Sequence, residues 1–449
     1  MQPRDLLTEL YRAAVASVEP GWLVGDALGR RGDALRVRSV LSSGQREFVF
    51  VPSRVALLAV GKAAVPMARA AHAALGGRVD EALVVAPSYE TGEGLPPGSR
   101  LILAGHPVPD EGSLEAGTAA LALAGRLGPG DLLLVLLSGG GSSLMAAPVE
   151  GLSLADKSRA ISLLMAAGAP IAEMNAVRGA LSRVKAGWLS AACGPAEVVS
   201  LVLSDLGDDG WHLVASGPTL GIPPSPANAL AILERYRVTT LVPPSVRAVL
   251  ALPAPPPSLR QTGPRWSVLL ADIRTALEGA RLAALRLGME ARIVPELLRG
   301  EARSAARRLA VAGASAGHHW RRTGGRPHVS LFGGETTVTV KGHGHGGRNR
   351  ELALATAIQL AGTPGAAALV AGTDGIDHES DAAGAFVDGT TVSRAEAAGL
   401  DPWKALRDND TGPFFAALGD AFSPGATGTN VGDIAFVWAV GPDAGTPAD

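Results

Sequence analysis

Six apolar residues in unbroken succession, Leu132 to Leu137, run into Ser138-Gly139-Gly140-Gly141-Ser142-Ser143. An apolar run without alternation describes a strand covered on both faces, the environment of a parallel sheet under helices. The Ser/Gly stretch after it has almost no side chain and cannot pack a core. It offers backbone N–H groups and hydroxyls at the carboxyl end of a strand, where open α/β sheets hold their ligands. The stretch reads as an anion cradle, with a flexible turn as the plainer alternative.

The same signal recurs along the chain. RVALLAVGKAA (54–64) reads as strand, tight turn and helix, and EALVVAP (81–87), RLILAGHPVPD (100–110) and EVVSLVLSDLGDD (197–209) supply further strands between helical stretches. Strands alternating with helices predict an α/β fold built on a doubly wound parallel sheet. Further on, WSVLLAD, ARIVPEL, PHVSLFGGETTVTVKG and AALVAGTDG read as strands around helices at 274–287, 300–316 and 348–362. A chain of 449 residues is too long for one core, and the Pro-rich stretches GIPPSPA (221–227) and LPAPPPS (252–258) bracket a boundary. The expected division is a first domain over 1–252 and a second α/β domain over 253–449.

A net charge of −2 gives no electrostatic case for nucleic acid or an anionic membrane. Cys193 is the single cysteine, which excludes an internal disulfide and thiolate-rich metal sites. No charged-then-apolar leader opens the sequence, and no apolar run approaches the roughly 20 residues of a spanning helix. The expectation is a soluble, cytoplasmic protein. Lysine occurs only at positions 62, 157, 185, 341 and 404, against 35 arginines, so each lysine invites a question.

Lys62 follows the first strand in GKAA, where it is either a point charge for a phosphate or a solvated surface residue. Gly342, Gly344 and Gly347 spell G-x-G-x-x-G before a helix, but the strand ahead, TTVTV, alternates, unlike the buried first strand of a dinucleotide fold. Arg348, at the start of that helix, fits a phosphate better, since guanidinium and helix N-terminus both favour negative charge. Acidic residues gather at strand ends: Asp205, Asp208 and Asp209, then Glu335, Asp374, Asp377 and Asp381. Such carboxylates suit magnesium held with nucleotide phosphates; the plainer reading is that half of them cap helices and turns. His343 and His345 could be read as metal ligands, but with no third ligand at helical spacing they read as loop residues or substrate contacts, and His106 is equally open.

GHPVPDEGS, LLSGGGSSLM, EMNAVRGALS, LSDLGDD with ASGPT, FGGETTVTVKGHGHGGRNRE, AGTDGIDHESDAAGA, NDTGPFF and PGATGTNVGD follow one another in order. Together they resemble the bacterial and animal glycerate 2-kinases with a C-terminal MOFRL region, over about residues 5 to 440. The resemblance implies a Rossmann-like N-terminal domain, a second α/β domain and an active site in the cleft between them. It implies ATP- and Mg2+-dependent phosphorylation of D-glycerate at its 2-hydroxyl, giving 2-phosphoglycerate and ADP. Family members have also been labelled hydroxypyruvate reductases, so NAD(P)H-dependent reduction is the rival activity. By motif, the catalytic lysine falls on Lys62 and the catalytic arginine on Arg348. Ser138, Gly139, Gly140, Gly141, Ser142, Ser143, Gly346, Gly347 and Asn349 become candidates for binding substrate or phosphate. Asp205, Asp208, Glu335 and Asp374 become candidates for magnesium. The partners are D-glycerate and nucleotide, and a homodimer stays open as the assembly. The chain departs from the family at Gly179-Ala180 (usually Lys-His), at Arg350 and at His378.

Overall fold

The computed structural model describes residues 2–41, 44–207, 210–221, 225–252, 263–323, 326–378 and 382–439. Asp208, Asp209 and Asp381, and the prolines at 223–224 and 253–257, lie outside them. The chain's contacts divide it into two units that no single cut separates. One comprises 20–204 and 209–270; the other comprises 1–19, 205–208 and 271–449.

The first unit carries strands β1 (Arg54–Val60), β2 (Glu81–Pro87), β3 (Arg100–Ala104), β4 (Asp131–Leu137), β5 (Glu197–Leu203) and β6 (Arg265–Ala271). They lie in one sheet in the order β3-β2-β1-β4-β5-β6. The pairings β1–β2, β1–β4, β2–β3 and β4–β5 are all parallel. After their first residue, β1, β2, β4 and β5 are buried at every position. The unalternating apolar runs therefore do sit between covering layers. Helix Glu111–Gly125 closes one face, and Asp110 caps it by accepting from the Ser113 N–H while Ser113 Oγ accepts from the Asp110 N–H. Strands Leu28–Arg31, Ala34–Leu41 and Gly44–Phe50 form a separate antiparallel sheet. Helices Leu154–Ala166, Ile171–Ala180, Pro226–Arg235 and Pro244–Leu250 share a second apolar cluster that includes Leu164, Val177, Leu233 and Val246.

The second unit holds β7 (Glu290–Ile293), β8 (Leu298–Glu301), β9 (His328–Thr337), β10 (Ala366–Gly372), β11 (Gly384–Asp388), β12 (Ala421–Phe422) and β13 (Asp433–Ala439). Their order is β7-β9-β13-β10-β11-β12, with β8 also on β9. The sheet is mixed: β7 and β8 run parallel to β9, whereas β13 is antiparallel to both β9 and β10. Helix Pro3–Ala16 belongs here, its Tyr11 hydroxyl donating to the Gly372 carbonyl at 2.9 Å. Among the described residues no helix is long and apolar enough to cross a membrane.

Candidate functional site

In the first unit the strand order reverses between β1 and β4, which leave the sheet side by side. That reversal is where doubly wound sheets bind ligands. Lys62 stands just past β1 and Ser138–Ser143 just past β4, so the structure brings these candidates together. The Lys62 N–H donates to the Gly139 carbonyl at 2.9 Å, and Ser138 Oγ accepts the Ala63 N–H at 3.0 Å. Gly61 has to be glycine, because a Cβ there would run into Ser138.

Gly140 has φ 85, and a Cβ on it would lie 3.0 Å from His106 Cδ2 and 3.2 Å from Lys62 Cγ. At this φ any side chain is strained, and its Cβ would crowd both His106 and Lys62, so glycine suits the turn. Through this loop the carbonyls point inward and are used. Gly139 accepts from Lys62 N–H, Gly140 from Ser143 N–H and Oγ, and Gly141 from Met145 N–H. The Ser142 carbonyl accepts from Lys185 Nζ at 2.5 Å. The N–H groups of Gly139, Gly140, Gly141 and Ser142 have no hydrogen-bond partner among the described residues. Four successive unpaired donors, with their carbonyls engaged elsewhere, are the donor set that an anion-binding concavity requires. The next helix, Gly141–Leu144, is a single turn, so the cradle rests on these N–H groups rather than on a long helix dipole.

In the second unit Arg348 opens helix Arg348–Leu360. Its Nε donates to Asp433 Oδ2 at 2.6 Å, its Nη2 to Asp433 Oδ1 at 3.0 Å, and its Nη1 pairs with Glu335 at 2.6 Å. Asp433 is paired in register with Gly334 on one side and Gly372 on the other, so the ends of β9, β13 and β10 converge here. Burial works against the Arg348 charge, but Asp433, Glu335 and Asp374 outweigh it and hold the guanidinium firmly protonated. Asn349 Nδ2 also donates to Asp433, at 3.1 Å, while its buried Oδ1 has no partner among the described residues. Asp205 belongs to this unit by its contacts; Glu335 and Asp374 both act on Arg348. Among the described residues no three His, Cys, Asp or Glu side chains stand ready to hold a metal.

At the helix N-terminus the chain itself supplies a carboxylate to two of the N–H groups. It is that of Asp377, which accepts the N–H groups of Asn349 at 3.1 Å and Arg350 at 3.0 Å, and it also pairs with the Arg350 guanidinium. Burial nevertheless pushes the Asp377 carboxyl up, opposed by these hydrogen bonds. Gly347 makes room for that carboxylate, since a Cβ would collide with it. Gly342, Gly344 and Gly346 are small for a similar reason: a Cβ at each would press on Asp408, Asp410 and Thr411 respectively. The segment 338–347 between β9 and the helix is laced to this loop, with Lys341 and Gly342 N–H groups on Asn409 Oδ1 and the His345 N–H on Asp410. The G-x-G-x-x-G spelling is thus a packing seam, not a strand–turn–helix cradle. His343 and His345 are exposed.

With this geometry the comparisons are specific. A D-glycerate 2-kinase of Thermotoga maritima is 40% identical over 385 residues, covering 85% of this chain and 89% of that protein. The chain belongs to the glycerate kinase family. Two family models agree: Domain of unknown function (DUF4147) over residues 6–251 and the MOFRL family over 328–433. The crystal structure of a Thermotoga maritima glycerate kinase superimposes with a TM-score of 0.82 at 35% identity, covering 97% of this chain and 99% of that one. An Agrobacterium vitis protein named as a putative hydroxypyruvate reductase is 38% identical, covering 96% of this chain and 93% of that protein. Membership makes this chain an enzyme of the transferase class.

For two parts of this glycerate kinase family member the sequence motifs give no role, although PGATGTNVGD ends on Asp433 and EMNAVRGALS contains Arg178. Asp433 is one, because an aspartate opening a buried strand shows no local sign of its partner. Lys157, Arg178 and Lys185 are the other, and they look like ordinary helix and loop cations. The scarcity of lysine was the one available signal: Lys157 and Lys185 are the lysines that the fold buries.

Proposed function

We propose that this chain transfers the γ-phosphoryl group of ATP to the 2-hydroxyl of D-glycerate, with Mg2+, giving 2-phosphoglycerate and ADP. The observation that carries the reading is the row of four unpaired N–H groups at 139–142, at the reversal of the sheet and beside Lys62. Such a row suits an oxyanion, and both substrates carry one. Phosphoryl transfer needs an aligned acceptor and neutralisation of charge on the equatorial oxygens more than covalent help. Lys62 offers a compact charge, and Arg348 a planar guanidinium that Asp433 holds in one orientation. Magnesium supplies charge neutralisation on the phosphates when bound. Asp205, Glu335 and Asp374 offer the hard oxygens it prefers, and the lack of a ready three-residue cluster among the described residues favours binding through the nucleotide.

The test is incubation with ATP, MgCl2 and D-glycerate, with the phosphorylated carbon assigned by phosphorus NMR. A parallel incubation with NADH and hydroxypyruvate follows absorbance at 340 nm, on the order of minutes to hours. Oxidation of NADH without ADP formation sinks the kinase reading in favour of the reductase named for the Agrobacterium relative.

A further inference from the structure

Behind the cradle lies a group of cations that phosphoryl transfer as described does not use. Lys185 is 3% exposed, and its Nζ donates to the Ser142 carbonyl at 2.5 Å and the Ser142 hydroxyl oxygen at 2.9 Å. Ser142 Oγ is in turn 2.8 Å from Ser216 Oγ, where the backbone turns left-handed through Ala215 and Ser216. Lys157, 6% exposed on helix Leu154–Ala166, has a buried Nζ with no hydrogen-bond partner among the described residues. Arg178, on helix Ile171–Ala180, donates to Asn175 Oδ1 at 3.1 Å.

The three side chains repel one another. Burial pushes the Lys157 amine down to about 7 with the Arg178 charge adding to it, and burial, then Lys157 and Arg178, push the Lys185 amine well below its ordinary value. The carboxylates on the packed helices are engaged elsewhere: Asp156 accepts from Ser245 Oγ at 2.6 Å, and Glu173 pairs with Arg235. Arg159, Arg183, His212, Glu234 and Arg247 are exposed. A buried amine with neither partner nor counter-ion costs stability. Lys157 and Arg178 act on Lys185, which holds the Ser142 carbonyl of the loop whose N–H groups are unpaired, so the positive groups gather behind that row.

We infer that Lys185 is a positioning residue that turns the Ser142 carbonyl inward so that the 139–142 N–H groups face outward, and that the counter-charge of the Lys157–Arg178–Lys185 trio is a small oxyanion bound in that cradle. The occupant is a carboxylate or a phosphate group. The inference rests on the cradle of the proposed function but not on the reaction.

The test is calorimetric titration of the whole protein at pH 8, in two buffers of different ionisation enthalpy, with D-glycerate and with inorganic phosphate as separate probes. An anion beside the trio raises the affinity of Lys157 for its proton, so binding takes up a fraction of a proton from the buffer. The probe that produces uptake identifies the occupant. In Lys157→Met the uptake disappears and the protein melts at a higher temperature, because the unpaired amine is gone. Lys185→Met weakens the same probe by about tenfold or more, because the Ser142 carbonyl loses the buried donor that holds it inward, while Lys185→Arg recovers part of the affinity. No proton uptake with either probe, or uptake unchanged in Lys157→Met, overturns the inference. Uptake intact in a protein that does not turn over ATP with D-glycerate overturns the kinase reading and leaves this one standing.

Discussion

Asp433 holds Arg348 through two parallel hydrogen bonds across 85 residues of sequence, Nε to Oδ2 at 2.6 Å and Nη2 to Oδ1 at 3.0 Å. The arrangement fixes the plane of the guanidinium, which a single contact would not. Asp433→Asn is expected to lower kcat by about tenfold or more with a smaller change in KM, since orientation matters most when charge develops. Arg348→Lys, which cannot form the paired contact, is expected to lose on the order of 10²-fold. Steady-state kinetics of both variants check this; turnover within about a third of the parent would refute the role, given the 10²-fold expected.

Lys62 is expected to be as sensitive. Its amide is tied to Gly139 at 2.9 Å, so a substitution alters the head group without freeing the turn. Lys62→Ala is expected to lose about 10²-fold in kcat, and Lys62→Arg to recover little, because a fork does not replace a compact charge. A fully active Lys62→Arg enzyme speaks against a point-charge role.

Gly140→Val tests the cradle. A β-branched side chain at φ 85 costs about 1–2 kcal/mol of backbone strain, and its Cβ would press on His106 and Lys62 at 3.0 and 3.2 Å. The expected outcome is a melting point lower by a few degrees and a KM higher by roughly tenfold for the substrate bound there, equivalent to about 1.4 kcal/mol. Unchanged Michaelis constants for both substrates in a well-folded variant count against it.

Asp377 predicts a stability effect. Its side chain is 1% exposed and serves two backbone N–H groups as well as Arg350, itself 7% exposed. Asp377→Ala leaves that guanidinium buried without its partner, at about 3–5 kcal/mol, or a loss on the order of 10 °C in melting temperature. Scanning calorimetry decides it; a shift under about 2 °C, less than 1 kcal/mol on that scale, means the cap is dispensable.

The pH dependence of stability is tied to Lys157. Its folded pKa, about 7, lies below the unfolded value near 10.5, so the unfolded chain binds the extra proton between them. Stability from this group therefore rises as pH increases from 7 towards 10.5, and its full penalty is present below 7. Denaturant midpoints of the parent and Lys157→Met are expected to converge as pH rises through this window. Parallel curves would mean that Lys157 keeps an ordinary affinity for its proton.

Much of the first unit was legible because its signals are local. An apolar run such as Leu132–Leu137 has to be covered on both sides, and Asp110 with Ser113 marks a helix start within four residues. The meeting of Lys62 with Ser138–Ser143 was half legible: each follows a buried strand, but only the sheet order makes those strands neighbours. The glycines of GHGHGG misled by their spelling, since glycine records only that something approaches closely. Here Asp408, Asp410 and Thr411 approach, where a phosphate was conceivable.

By itself the sequence determined the α/β class, the positions of the buried strands and the family, because hydrophobic periodicity and contiguous motifs are properties of short segments. The tertiary structure alone decided that Asp433 orients Arg348, that Asp377 occupies the helix N-terminus, that the N-terminal helix joins the C-terminal unit, and that Lys185 anchors Ser142. These are pairings between residues far apart in the chain. Their partners are set by strand order and register, which depend on how whole faces are buried and leave no trace in the local spacing of either residue.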